Sequence, residues 1–70
     1  MSFGKNPHVA KAEAAEQKAL DAGDAAAREQ AWREAGQLWE RAADREKDAK
    51  RKALYEANAA RTRESADGVA

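Results

Sequence analysis

Seventy residues carrying 13 basic and 13 acidic side chains have no net charge, and the mean hydropathy is −0.99. A chain of this length holds one small domain, close to the size at which a single core is marginal without help. The absence of cysteine excludes a disulfide framework and a thiolate metal site, and no apolar run reaches the roughly 18 residues a membrane-spanning helix needs.

The hydrophobic fraction of 43% overstates the core, because 20 of those residues are alanine. Apart from Met1, Phe3, Val9 and Val69 near the ends, the larger apolar side chains are Leu20, Trp32, Leu38, Trp39, Leu54 and Tyr55. Their full burial is worth on the order of 10 kcal/mol before entropy is subtracted. That is thin for an independent domain, so helix propensity, charge pairs or association with another chain must contribute.

Residues 1–6 form an N-terminal arm, and the stretch from Met1 to Glu16 lacks the hydrophobic core of a secretion signal, which makes a cytoplasmic protein the expectation. Asn6-Pro7 is a helix start, with Asn as N-cap and Pro at the first helical position. The first predicted helix covers 7–22 and stops at Gly23. Val9, Ala12, Ala19 and Leu20 share one face of it, with Glu16 interrupting them, so this helix is expected to dock weakly. His8, in its first turn, is read as solvent-facing.

Asp24 follows directly and caps a second helix over 25–43. Its apolar face holds Trp32, Ala35, Trp39, Ala42 and Ala43, with Gly36 beside them and Leu38 at the edge. Trp32 and Trp39 lie seven residues apart, about two turns, and therefore stand one above the other. No Gly or Pro occurs from Gln37 to Asp67, so the next boundary is weakly marked. A turn at 43–46, with Asp44 as a candidate N-cap, opens a third helix over 46–64. Without that turn, the second and third helices would fuse into a rod of about 60 Å.

Along the third helix, Ala49, Ala53, Ala57 and Ala60 make a small-residue stripe flanked by Leu54, and residues 66–70 are expected to be a disordered tail. Asp24–Arg28, Glu29–Arg33, Glu46–Lys50 and Asp48–Lys52 each place an acid four residues before a base. From His8 to Asp44 the balance is five bases to eight acids, and from Arg45 to Arg63 it is seven to three. Such asymmetry favours antiparallel packing, within one chain or between two, with solvated helix faces carrying local pairs as the alternative.

The expected fold is therefore all-α, with the single domain at 7–65: an antiparallel hairpin of the second and third helices and the first helix packed across it. Gly36, between two indoles, makes a notch that accepts a small-residue helix. The Ala49–Ala53–Ala57 stripe of the same chain is the favoured occupant and a second copy is the alternative.

The segment Trp32, Ala35-Gly36, Trp39 resembles the first helix of a tetratricopeptide repeat, whose pattern is W-x2-L-G-x2-Y. Alanine stands for the leucine and tryptophan for the tyrosine, and Ala60-Arg61 lies where the closing proline belongs. The resemblance spans about 34 residues. It implies a protein-binding scaffold rather than an enzyme, and since a single repeat does not bury its own face, it implies self-association.

Candidate chemistry is sparse. His8 is the only histidine, Ser2, Thr62 and Ser65 have no convergent base, and no Glu-x-x-His pair or Gly-rich phosphate loop occurs. No catalytic residue, metal, cofactor, small-molecule substrate or membrane contact is expected. The expected function is a protein–protein interaction module using Trp32, Gly36, Leu38, Trp39, Leu54 and Tyr55, with a protein or a second copy as partner. Nucleic-acid binding is the alternative, through Lys47, Lys50, Arg51, Lys52, Arg61 and Arg63, with Tyr55 available to stack. The alanine- and arginine-rich composition suggests a high-GC bacterial or phage source.

Overall fold

Asn6 opens the first helix as its residue type suggests: its side-chain oxygen accepts the backbone N–H of His8 at 3.1 Å, and Pro7 occupies the first turn. The side-chain amide of Asn6 also donates to the carbonyl of Ala42 at 2.8 Å. One residue thus caps a helix and ties it to its neighbour. The computed structural model of the chain describes residues 6–69 and contains α1 (Pro7–Asp21), α2 (Ala25–Arg45) and α3 (Ala49–Val69). The fold is all-α, and the described residues contain no strand. Of the expected N-terminal arm at 1–6, residues 1–5 lie outside the described residues, as does the last tail residue.

Asp24 caps α2, accepting from the backbone N–H of Ala27 at 3.0 Å. The second turn comes later than expected. α2 runs on through Arg45, and Asp48 rather than Asp44 is the cap of α3, its carboxylate accepting from Arg51 N at 2.9 Å. Glu46 accepts from the Asp48 N–H at 3.2 Å and stiffens the turn, so the two long helices do not fuse into a rod. This explains why only Glu29–Arg33 of the four expected i,i+4 pairs closes among the described residues. Asp24 and Asp48 are engaged as caps, and Arg28 donates to the Ala22 carbonyl at 3.3 Å. A cap satisfies otherwise orphaned backbone donors and is worth about 1 kcal/mol, more than a solvent-exposed ion pair. Asp48→Ala is accordingly expected to cost about 1 kcal/mol, lowering the melting temperature by roughly 4–8 °C in a domain of this size. Asp44→Ala should leave a thermal melt nearly unchanged.

α2 is antiparallel to both neighbours and lies between them. Contacts to α1 run from Asn6–Ala42 at one end to Lys18–Glu34 at the other. Contacts to α3 run from Arg33–Asp67 to Trp39–Tyr55. The chain extends 38 × 21 × 12 Å, the proportions of three helices lying side by side in one layer. α1 therefore packs along α2 rather than across the hairpin.

In such a layer the central helix must bury two stripes and the flanking helices one each. Ala12, Ala15 and Ala19 of α1 are buried, as are Ala31, Ala35, Gly36, Trp39, Ala42 and Ala43 of α2. From α3 the buried set is Ala59, Thr62 and Ala66. Alanine at nearly every contact lets helix axes approach toward the short end of the 8–10 Å range, so a thin core is compensated by close packing.

The tail expected at 66–70 is helical through Val69, because Ala66 is fully buried and Arg33 binds Asp67 at 3.1 Å. Hydrogen bonds to Glu29 first, and then to Asp67, hold the Arg33 guanidinium above its ordinary pKa. His8 is half-buried rather than solvent-facing, and its Nδ1 is enclosed without a hydrogen-bond partner.

Candidate interaction surface

Trp39 joins all three helices. Its ring is 4% exposed and stacks on Tyr55 of α3 with centroids 5.6 Å apart. Its indole N–H donates to the carboxylate of Glu16 on α1, and the same carboxylate oxygen accepts from Arg61 of α3 at 2.8 Å. A buried indole N–H needs an acceptor. Glu16, which interrupts the apolar face of α1, supplies it, so the residue expected to weaken docking instead directs it. The need of Trp39 for an acceptor was the signal in the sequence that pointed to such a residue.

Gly36 faces α3. A Cβ placed on it would lie 3.1 Å from Thr62 Oγ1, 3.4 Å from Arg63 Cγ and 3.6 Å from the Ala59 carbonyl oxygen. The notch is therefore filled by this chain's own third helix, but in a different register from the one expected. Ala49, Ala53, Ala57 and Ala60 are all exposed, and the face on the other side of the helix, bearing Tyr55, Ala59, Thr62 and Ala66, is the one that packs. Thr62 is fully buried and donates its hydroxyl proton to the Ala59 carbonyl at 3.0 Å.

The other expected contact residues divide. Leu38 and Tyr55 are half-buried against the core and Trp32 is half-buried. Leu54 is not part of the buried patch. It is 56% exposed, because Tyr55, the next residue, takes the inward position beside Trp39. Leu20 is 67% exposed and lines an open groove of about 340 Å³ between α1 and α3, with Trp39, Asn58 and the Glu16–Arg61 pair. Leu54 stands one turn before Asn58 on the same flank of α3.

The six basic candidates also separate. Arg61 and Arg63 are ion-paired, to Glu16 and Glu40 respectively, each reaching from α3 to another helix. Lys47, Lys50, Arg51 and Lys52 are exposed, and none of these four is ion-paired among the described residues. The positive half of the chain thus uses two of its arginines to fasten the acidic half and leaves its cations around the start of α3 to solvent.

Compared with protein-family models, with curated proteins and with solved structures, the chain has no match. Among the described residues, no helix is long and apolar enough to cross a membrane, and no group of three or more His, Asp or Glu could hold a metal ion.

Proposed function

We propose that this chain is a non-catalytic helical module for protein–protein interaction, and that its contact surface is the outward face of α3 rather than the tryptophan face. The observation that carries this is the position of Leu54. In a chain whose core is almost wholly alanine, a leucine is 56% exposed on a helix that also presents Ala53, Ala57 and Ala60 to solvent. Isolated surface leucines are ordinary, but a continuous apolar strip along one helix is the form in which helices meet partners. α3 carries small apolar residues on both sides: one set serves the fold, and the other is free for a partner.

The tetratricopeptide-like reading of Trp32, Gly36 and Trp39 is compatible with this function. Antiparallel helices laid in one layer are how repeat scaffolds extend, and a terminal helix with an apolar outer face is where a neighbour would add. Catalysis is not proposed. The sole histidine sits in the first turn of α1, and the Thr62 hydroxyl is buried against a carbonyl.

Leu54→Asp tests the reading. It is expected to leave the helical content and the melting temperature within a few degrees of the parent, since Leu54 contributes little to the core. The variant should lose association, whether with itself or with proteins retained on the immobilised wild-type chain. Unchanged association in a folded Leu54→Asp variant would refute the proposal.

A second reading, nucleic-acid binding, is favoured by exposed Lys47, Lys50, Arg51 and Lys52. Against it, Asp48 and Glu56 interrupt the patch, and Arg61 and Arg63 are engaged with acids. It requires retention on DNA or RNA at low salt that falls in an Arg51→Ala/Lys52→Ala variant.

A further inference from the structure

The outward face of α3 has a symmetry that the fold does not use. Lys50, Ala53, Leu54, Ala57, Ala60, Arg61 and Glu64 are all exposed and lie together on the side of α3 away from Ala59, Thr62 and Ala66. If a second copy of the helix is laid antiparallel across this face with Ala57 opposite the partner's Ala57, the set maps onto itself. Lys50 then falls opposite the partner's Glu64, Leu54 opposite the partner's Ala60, and Ala53 opposite the aliphatic stem of the partner's Arg61. Every large residue meets a small one or a flexible stem, and each cation at one end meets an anion at the other. Parallel pairing would instead set Lys50 against Lys50 and Glu64 against Glu64.

We propose that two copies of this chain associate through this face of α3, antiparallel about a two-fold axis at Ala57, with Lys50 of each chain against the partner's Glu64. The inference rests on the interaction-module reading and names its partner. Three observations carry it. Leu54 is half in solvent on a helix whose opposite side is already packed. Lys50 and Glu64, at the two ends of the strip, are exposed, and neither is ion-paired among the described residues. The small residues at 53, 57 and 60 leave no side chain tall enough to hold two helices apart.

The interface is isologous, so each contact occurs twice and the assembly closes at two chains. One helix face per chain is a small area, which places the dimer in the transient class with a dissociation constant on the order of 0.1 mM. Opposed helix dipoles and the Lys–Glu pairs set the orientation, and both effects weaken with salt.

The test is sedimentation equilibrium at low salt on the intact chain, with circular dichroism to establish that each variant is folded. Wild type is expected to pass from monomer to dimer between about 0.01 and 1 mM. Lys50→Glu and Glu64→Lys, each placing like charges together twice per dimer, are expected to weaken association by roughly tenfold. The double variant Lys50→Glu/Glu64→Lys reverses both charges and is expected to restore association to within about threefold of wild type. Restoration is specific to the antiparallel register, since no other placement re-forms the same pairs. A wild type still monomeric at about 2 mM overturns the inference, as does a dimer indifferent to both single reversals or a double variant no better than either. The interaction-module reading fails separately, when folded Leu54→Asp retains every association of the parent; a monomeric wild type alone does not remove it.

Discussion

Trp39→Ala is expected to remove a large part of the stability of the fold. The residue is 4% exposed and, among the described residues, is the one large hydrophobic side chain buried in a core whose other apolar members are alanines. Its removal forfeits the stacking on Tyr55, leaves the Glu16 carboxylate without one of its two donors and opens a cavity that alanine neighbours cannot fill. Truncating a buried tryptophan costs about 3–5 kcal/mol, and a domain of this length has only about 4–10 kcal/mol in total. A fall in melting temperature of about 20 °C or more, followed by far-ultraviolet circular dichroism, is the predicted result. Trp39→Phe keeps an aromatic ring for Tyr55 but removes the N–H donor to Glu16, and should cost about 1–2 kcal/mol. A Trp39→Ala variant melting within a few degrees of the parent would show that the three helices are not held through this residue. Because the same variant is so strongly destabilised, its loss of association carries no information about the interaction surface, which is why Leu54→Asp is the informative substitution there.

The second large effect is at Gly36, and there it depends on side-chain size. Alanine removes the entropic penalty of a mid-helix glycine, worth up to about 1 kcal/mol, but its Cβ would sit 3.1 Å from Thr62 Oγ1. Thr62 cannot easily yield, since it is fully buried and its hydroxyl is bonded to the Ala59 carbonyl. The two effects nearly cancel, and Gly36→Ala should lie within about 1 kcal/mol of wild type. Leucine at the same place has no such balance. Its branch must displace Thr62, Arg63 and the Ala59 backbone together, and the α2–α3 contact should be pried apart at a cost of about 3 kcal/mol or more. A double-mutant cycle isolates the cause: in a Thr62→Ala background the hydroxyl is gone, and Gly36→Ala should become stabilising by about 0.5–1 kcal/mol. Chemical denaturation of the four chains checks this. Equal effects of Gly36→Ala in both backgrounds would place the contact elsewhere.

Much of this architecture is legible in the residues, and the reasons differ along the chain. Asn6-Pro7 and Asp24 announce helix starts because capping is a local matter, decided within three or four residues. Gly36 between two indoles announces a close helix approach for the same reason. The second turn is harder to read. Between Glu40 and Asp48 several carboxylates compete for two roles, cap or i,i+4 partner, and no Gly or Pro punctuates them. Asp48 prevails because Glu46 braces its N–H and because the packing of Ala42 and Ala43 carries α2 past the expected end.

The register of α3 was hidden for a different reason. Alanine is small enough for either side of a helix, and α3 carries alanines on both, so periodicity alone does not say which side is inward. Ala49, Ala53, Ala57 and Ala60 form the longer run, and by periodicity alone they read as the inward side. Trp39 decides otherwise, because a buried indole gains more from Tyr55 stacked on it than from alanines. Once Tyr55 points inward, Ala59, Thr62 and Ala66 follow at helical spacing, and Leu54 turns outward. The surplus stripe, displaced from the core, is what makes the outer face available to a partner.

Trp39 and Gly36 complete their contacts with α3 within one chain, and the proposed association uses the far side of α3. The most direct measurement is the fluorescence of Trp39 alone, in a Trp32→Phe background, on samples diluted until sedimentation reports a monomer. Blue-shifted emission is expected in that monomer, unchanged as concentration is raised and the chains associate. Emission shifted to the red in the monomer, moving to the blue only on association, would instead place the indole at an interface between chains rather than inside its own.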